Sequence, residues 1–271
     1  MTYRTLKVQQ DSRGVLSIHL NRPDLRNAFN EEVISELTQV FAQETVKKDV
    51  RIIVLRGEGP VFCAGGDLNW MKKAVNYSYE ENLDDTLRLS SLFALMNECP
   101  KPVIGVIHGA AIGGGVGLVS VCDFVIASSE TLFSLSEVRL GIVPACIGPF
   151  VLAKIGPSQA RRYFLSAERF SASRAQEIGL VHEVVPSEAD LQASLDSHLT
   201  HMLQASPNAV AVAKQLILDL SWPERRNELK DYLSYISRTL SDLRVSEEGQ
   251  EGLRAFLEKR KPGWISGGKK G

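Results

Sequence analysis

The sequence predicts an α/β protein in which a mixed core is followed by a module of helices. Strand–strand–helix units continue to about Val185, and after Pro186 every segment with a hydrophobic period is helical. The chain has 271 residues, enough to bury a sizeable core in one domain or two. The chain therefore divides into a mixed core at residues 1–186 and a helical module at residues 187–271. No low-complexity linker separates the two, so the boundary is not sharply defined by the sequence.

The individual elements follow from local patterns. Residues 5–9 and 15–20 alternate like the strands of a hairpin with its turn at 11–14, and Asn30 caps a helix with apolar positions from Val33 to Phe41. Further strands are expected at 52–55, 103–107, 124–127, 132–133 and 181–185. Further helices are expected just after Leu68 and at 79–97, 116–122, 136–140, 173–178, 191–203, 208–220, 224–240 and 246–259. Residues 150–165 are expected to form two short helices around Gly156 and Pro157, and residues 267–271 a flexible end.

Composition and charge narrow the class of protein. Hydrophobic residues make up 44% of the chain, charged residues make up 23%, and the formal net charge is -1. These values are ordinary for soluble proteins. A balanced charge does not indicate a polyanionic partner, so we expect no nucleic acid to bind. The four cysteines lie far apart and residues 1–10 have the pattern of neither a signal nor a transit peptide. We therefore expect reduced thiols and a cytoplasmic location.

A membrane span and a metal site are two alternatives that the sequence disfavours. Residues 103–122 form an uncharged run with glycines four apart, a spacing found in packed membrane helices. That run also holds six glycines and His108, and such glycine density disfavours one continuous helix. The histidines form no cluster with cysteines or carboxylates at ligand spacing, so no metal is expected, and His108 is expected to be structural.

The stretch 109–148 carries the strongest functional signal. Its glycines at 113, 114 and 115 have no side chains, so a ligand or another backbone segment can approach the main chain closely there. The small apolar segment after them predicts a buried helix, and the N-terminus of such a helix offers free N–H groups. Glu137 follows in a second apolar stretch. Amide donors together with a lone acid indicate an active site, while tight helix packing with a solvated acid explains the same residues equally well.

Three common motifs are missing from the chain. There is no G-x-S-x-G nucleophile elbow and no lysine at the position that a phosphate-binding P-loop requires. Counted from Gly113, the last glycine of the dinucleotide fingerprint would fall on Leu118. The glycines therefore indicate neither a serine hydrolase nor a nucleotide-binding loop.

Four segments, 62–68 (FCAGGDL), 109–115 (GAAIGGG), 122–123 (CD) and 136–144 (SEVRLGIVP), occur in a characteristic order and spacing. Together they resemble the crotonase (enoyl-CoA hydratase/isomerase) superfamily, and the tail 256–262 resembles its closing helix. The resemblance covers nearly the whole chain. It implies a crotonase-like spiral of ββα turns, a C-terminal helical part that mediates trimers often paired into hexamers, and an acyl-CoA thioester substrate.

The same resemblance implies the site residues. The backbone N–H groups of Gly66 and Gly114 would form an oxyanion hole, and Glu137 would act as acid and base. Coenzyme A would be part of the substrate, so no separate cofactor is expected. Asp67 is expected mainly to cap a helix. The expected substrate-binding positions are Ala64, Gly65, Asp67, Leu68, Gly113, Gly117 and Arg139.

Gly117 departs from the two-glutamate hydratase pattern, which has an acid two residues after the glycine triplet and another twenty residues later. Only the second acid, Glu137, is present. One carboxyl suffices if it deprotonates water and then returns a proton to the α-carbon, and an apolar pocket would raise its pKa for that role. A two-carboxylate mechanism is therefore not expected.

The function implied is a hydro-lyase that adds water to, or removes it from, a short or branched enoyl-CoA. Residues 113–119 and 135–141 resemble those of bacterial methylglutaconyl-CoA hydratases of leucine catabolism, and Arg139 is a candidate partner for the second carboxylate of such a substrate. A structural salt bridge is an equally good role for Arg139. The alternatives are an enoyl-CoA isomerase or an acyl-CoA thioester hydrolase on the same scaffold, and a CoA-binding scaffold without catalysis.

Overall fold

The structure is a computed structural model that describes residues 3–221 and 232–265. Within these residues the strands, numbered in chain order, are β1 (Leu6–Gln10), β2 (Val15–Leu20), β3 (Ile52–Gly57), β4 (Val103–Ile107), β5 (Ala110–Ile112), β6 (Phe124–Ser128), β7 (Leu132–Ser134), β8 (Phe170–Ser171) and β9 (Glu183–Val185). The α-helices are α1 (Glu31–Gln43), α2 (Leu68–Ala74), α3 (Tyr79–Asn97), α4 (Gly114–Ser120), α5 (Gly148–Ser166), α6 (Ala172–Glu177), α7 (Leu191–Met202), α8 (Pro207–Ser221), α9 (Tyr232–Val245) and α10 (Glu247–Leu257).

Two sheets organise the core. The larger has the strand order β1-β2-β3-β4-β6-β9, in which only β1 and β2 pair antiparallel. The smaller has the order β5-β7-β8, with β5 and β7 parallel. Each parallel pair requires a crossover connection, and helices supply most of these. The α/β class and the ββα arrangement predicted from the sequence are confirmed.

Both faces of the larger sheet are covered. On one face, Ile52, Val54, Ile104 and Val106 belong to the same apolar cluster as Leu195 of α7. The opposite face belongs to the main core, together with α1, α3, α4 and α5. Because α7 covers the sheet directly, the first helix after residue 186 shares a core with the strands. The division into 1–186 and 187–271 stays a prediction.

Local signals locate most elements to within a few residues. The hairpin turn contains Gly14 at φ +83°, and the side chain of Asn30 accepts a hydrogen bond from the N–H of Val33, as a cap does. The break expected at Gly156 between two short helices in 150–165 is present as a kink in α5, where φ is +70°. The strands β5 and β8, which are two or three residues long, are not predicted by the local pattern. The expected helix at 224–240 lies partly, and the end at 267–271 wholly, outside the described residues.

The run at 103–122 is divided between β4, β5 and α4. Among residues 3–221 and 232–265, no helix combines the length and the apolar character needed to cross a membrane.

A close contact joins the turn at 63–67 to α4. Cys63 and Ala111 form an isolated parallel bridge, and the N–H of Ile112 donates to the carbonyl oxygen of Cys63 at 3.0 Å. A methyl carbon on Gly115 would lie 2.6 Å from that same oxygen. Glycine at this position is therefore a packing requirement of the fold.

We expect Gly115→Ala to lower the free energy of unfolding by about 1–3 kcal/mol, the usual cost of overpacking a tight core. The matched control is Gly148→Ala at the start of α5, where the methyl carbon would lie 3.8 Å from the ring of Phe164. The control should change stability by no more than about 0.5 kcal/mol. Denaturant unfolding measures both values, and equal midpoints for the two variants would contradict the contact at Gly115.

Candidate active site

The turn at 63–67 is held by the strand-like segment before α1. The N–H of Phe29 donates to the carbonyl of Gly65 at 2.7 Å, and the N–H of Asp67 donates to the carbonyl of Phe29, also at 2.7 Å. Gly65 adopts φ +96°, a conformation that a side chain would strain. Between these bonds, the N–H of Gly66 has no acceptor among the described residues.

The start of α4 presents the second free amide. The N–H of Gly113 donates to the carbonyl of Ser134 at 2.8 Å, which fixes the helix start against β7. The first bond of the helix runs from the N–H of Gly117 to the carbonyl of Gly113 at 3.1 Å. Gly114 therefore lies in the first turn, where N–H groups have no partner within the helix.

Solvent reaches the two glycines that carry the free amides. Gly66 and Gly114 are half-buried, whereas Gly65, Gly113 and Gly115 beside them are buried. Phe29 connects the two positions, since its backbone bridges to Gly66 and its ring lies 3.2 Å from where a methyl carbon on Gly114 would be. The arrangement suits recognition of an anion or a developing negative charge.

A polar network supports this turn from behind. Asp67 caps α2 by accepting from the N–H of Asn69, and Arg22 donates to Asp67 at 2.8 Å and to the carbonyl of Ala28 at 2.6 Å. Burial alone would raise the pKa of Asp67, but the hydrogen bonds from Arg22 and the backbone outweigh it and hold the pKa below its ordinary value. The expected capping role of Asp67 is confirmed, and its carboxyl is fully engaged within the protein.

Sequence reasoning missed Arg22 and Asn27 in this network. The buried amide of Asn27 donates to the carbonyls of Glu58 and Val61 and accepts from the N–H of Arg22. Asn27 has φ +54°, a conformation that asparagine tolerates better than most residues. The one available signal was the interruption of the strand pattern at 21–24, which marks a turn but names no partner.

Glu137 lies against the start of α4. A short 3₁₀ helix, Glu137–Leu140, follows β7 and places the carboxyl oxygen Oε1 3.1 Å from where a methyl carbon on Gly113 would be. The other oxygen, Oε2, is buried and has no hydrogen-bond partner in the described part of the chain. Burial raises the pKa of Glu137, and a hydrogen bond from its own N–H opposes this only in part. A buried carboxyl of this kind is typical of a proton-transfer group.

Gly117 is covered by two side chains. A methyl carbon on Gly117 would lie 2.2 Å from Cγ2 of Ile147 and 2.9 Å from the ring of Phe93. Its backbone is buried, so a direct contact between Gly117 and a bound molecule would require Ile147 or Phe93 to move. No side chain fits at this position as the protein is packed.

The remaining predicted residues lie on the outside of the site. Leu68 is 73% exposed, Ala64 is half-buried, and Arg139 is exposed. Arg139 has no ion pair among residues 3–221 and 232–265, so the salt bridge considered for it is not formed there. The structure therefore brings Gly66, Gly114 and Glu137 to adjoining segments and leaves Leu68 and Arg139 towards solvent.

His108 has a structural partner. Its ring Nε2 lies 2.8 Å from the carbonyl oxygen of Gly59 and the residue is buried, as expected for a histidine that fixes a turn. In the part of the chain that the structure describes, no three His, Cys, Asp or Glu side chains are grouped to hold a metal ion.

We expect Glu137→Gln to gain stability relative to the wild type as the pH rises. The folded-state pKa of Glu137 lies above the unfolded value of about 4.3, so the folded protein keeps a proton that the unfolded chain releases. The wild type therefore loses stability as pH rises from about 4.3 through the folded pKa, and the uncharged glutamine does not.

Denaturant unfolding of both proteins between about pH 4 and 8 tests this pH dependence. The control is Glu130→Gln, since Glu130 is exposed and lies outside the site. A stability difference between Glu137→Gln and wild type that stays constant with pH would show that the carboxyl is not desolvated.

The chain is similar in sequence and overall fold to proteins of one known family. The family described as "Enoyl-CoA hydratase/isomerase" matches residues 10–267. The chain is 33% identical to the 2,3-dehydroadipyl-CoA hydratase of Escherichia coli over 92% of this chain and 94% of that protein. It is 31% identical to the peroxisomal Delta(3,5)-Delta(2,4)-dienoyl-CoA isomerase of Arabidopsis thaliana, over 96% and 97%. A crystal structure of an enoyl-CoA hydratase from Shewanella pealeana superposes with a TM-score of 0.90 at 39% identity, covering 96% of each chain. The protein is a crotonase-fold member of the enoyl-CoA hydratase/isomerase family and an enoyl-CoA hydratase-like enzyme.

Proposed function

We propose that this enzyme is a hydro-lyase that adds water to, or removes it from, a short or branched enoyl-CoA. The observation that carries the proposal is the half-buried Glu137, whose carboxyl oxygen Oε2 is buried without a hydrogen-bond partner among the described residues and whose Oε1 lies beside the accessible start of α4. A carboxyl held in this way is ready to exchange a proton with a bound molecule.

The proposed chemistry divides between the backbone and the acid. As water attacks the β-carbon of the enoyl thioester, Glu137 takes a proton from the water and electrons move onto the thioester oxygen. The N–H groups of Gly66 and Gly114 stabilise the resulting enolate. The protonated Glu137 then gives its proton to the α-carbon, the thioester carbonyl re-forms, and the carboxylate is regenerated. The raised pKa of Glu137 supports both the uptake and the release of the proton.

The turn at 64–68 is the proposed place for the CoA moiety, which enters as part of the substrate. Gly66 is accessible there and Leu68 is exposed. Asp67 would contribute by fixing the turn, because its carboxyl is already bonded to Arg22 and to backbone amides. A homotrimer or hexamer, a cytoplasmic location and the absence of a separate cofactor remain predictions.

A double-bond isomerase is the second candidate. Moving a double bond along an acyl chain requires one group to remove a proton at one carbon and return it at another, and Glu137 is such a group. The similarity to a dienoyl-CoA isomerase from Arabidopsis thaliana supports this candidate. The thioester hydrolase alternative has no comparable support.

The finer substrate expectation is 3-methylglutaconyl-CoA, whose acyl chain ends in a second carboxylate. Arg139 supports it, since this exposed guanidinium lies two residues after Glu137 and has no ion pair with the described side chains. The similarity to the Escherichia coli hydratase also supports it, since the name of that enzyme denotes a substrate with a dicarboxylic acyl group.

We expect Glu137→Gln to lower kcat for hydration of crotonyl-CoA by about 10²–10⁴, the range for loss of a general acid–base group, with little change in KM. Loss of the conjugated enoyl-thioester absorbance measures the reaction. The control is Glu130→Gln, an exposed glutamate outside the site, which should keep wild-type activity.

The products of the same assay separate the candidates. If a non-conjugated 3-enoyl-CoA gains conjugation while crotonyl-CoA is unchanged, the enzyme is an isomerase. If free CoA appears, it is a thioester hydrolase. Activity of Glu137→Gln within a few-fold of wild type would remove Glu137 from the mechanism whichever reaction is found.

We expect Arg139→Gln to raise KM for 3-methylglutaconyl-CoA about tenfold, since a hydrogen bond to a charged group contributes about 1.5–3 kcal/mol. The matched substrate is 3-methylcrotonyl-CoA, which has the same branch without the second carboxylate and should keep its KM. An unchanged KM for both substrates would argue against a dicarboxylic acyl group bound at Arg139.

A further inference from the structure

The Glu137 carboxyl and two apolar side chains lie one after the other along the first turn of α4. Gly113 immediately precedes α4, and its carbonyl accepts the first hydrogen bond of the helix, from the N–H of Gly117 at 3.1 Å, so the two positions are about one helical turn apart. Glu137 contacts the first position, and Ile147 with Phe93 contacts the second. The apolar pair therefore begins about one helical turn beyond the carboxyl.

The pair Ile147 and Phe93, here called the plug, is tightly held. Ile147 is 3% exposed and Phe93 is 0% exposed. The ring of Phe93 lies 6.1 Å from that of Phe29 and 6.3 Å from that of Phe150, so aromatic side chains support it on two sides. Ile147 immediately precedes α5, and its carbonyl accepts from the N–H of Val151 at 3.0 Å. The space beside Gly117 is consequently filled, with no room even for one methyl carbon.

We propose that Ile147 and Phe93 are specificity-determining residues that close the inner end of the acyl site and restrict the enzyme to short acyl groups. The inference rests on the proposed function, in which the Gly66 and Gly114 amides hold the thioester oxygen and Glu137 acts on the adjacent carbons. An acyl chain that extends past Glu137 along α4 meets the plug within about one helical turn. A longer chain has to displace Ile147 or turn away from the helix.

The first test is a chain-length series with Ile147→Ala. Wild type should hydrate crotonyl-CoA with a much higher kcat/KM than trans-2-decenoyl-CoA. Ile147→Ala should raise the decenoyl to crotonyl ratio of kcat/KM at least tenfold, within the usual range for a change of a few methylene groups in an apolar pocket. Phe93→Leu, a milder trimming of the same plug, should shift the ratio in the same direction.

Two controls test whether the change in chain-length preference comes from the plug. Ile155→Ala removes the same atoms from a buried isoleucine within α5, the helix that Ile147 precedes, and Ile155 is not among the nearest neighbours of Gly117. It should leave the ratio unchanged. Gly117→Ala should destabilise the wild type more than the Ile147→Ala variant, because the contact at 2.2 Å is then absent and only the contacts with the Phe93 ring at 2.9 Å remain.

A binding measurement separates this inference from the proposed reaction. Calorimetry with the saturated butyryl-CoA and decanoyl-CoA needs no turnover, and wild type should bind the butyryl ester more tightly, with Ile147→Ala reversing or removing the preference. If that holds while no enoyl-CoA is hydrated, the proposed function fails and the plug stands. If folded Ile147→Ala and Phe93→Leu both keep the wild-type chain-length preference, or wild type accepts both lengths equally, the plug is wrong.

Discussion

The site depends on the contact between the turn at 63–67 and the start of α4. The carbonyl of Cys63 accepts from the N–H of Ile112 and stands so near Gly115 that no side chain fits between them. This contact puts the free amide of Gly66 and that of Gly114 on adjoining segments without help from any side chain. Because both donors belong to the backbone of the core, they need no reorganisation when charge develops near them.

The second constraint is the unfavourable burial of Glu137. A carboxyl with a raised pKa and a partnerless oxygen costs stability at neutral pH, so its position has to be imposed by the surroundings. Ser134 in β7 accepts from the N–H of Gly113, and the 3₁₀ helix with Glu137 starts three residues after Ser134. At its end Gly141 turns the chain at φ +74° towards α5. Glu137 therefore lies between β7 and α5, and these two core elements hold it against the start of α4.

Some features follow from neighbouring residues and were predictable for that reason. The cap at Asn30, the turn at Gly14 and the cap at Asp67 each depend on a few consecutive residues, and the structure places them as expected. The glycine triplet with Glu137 likewise indicated a helix start beside an acid. By contrast, the bonds of Asn27 to Glu58 and Val61, and the packing of Ile147 and Phe93 on Gly117, join residues far apart in the chain. No local pattern specifies such partners, and for the same reason β5 and β8, each only two or three residues long, were missed.

The surroundings of Gly113, just before α4, and of Gly117, within it, explain how the packing accommodates a single acid. At Gly113 the missing side chain leaves room for the Glu137 carboxyl, whereas at Gly117 the room is taken by Ile147 and Phe93. A carboxylate at 117 would need both of these buried side chains to move, and it would also place a like charge near an acid that is already poorly solvated. On the proposed function, Glu137 alone must then remove the proton from water and deliver the proton to the α-carbon. Both transfers occur from the side of the acyl group that faces Glu137, so hydrogen and hydroxyl would be added to the same face of the double bond.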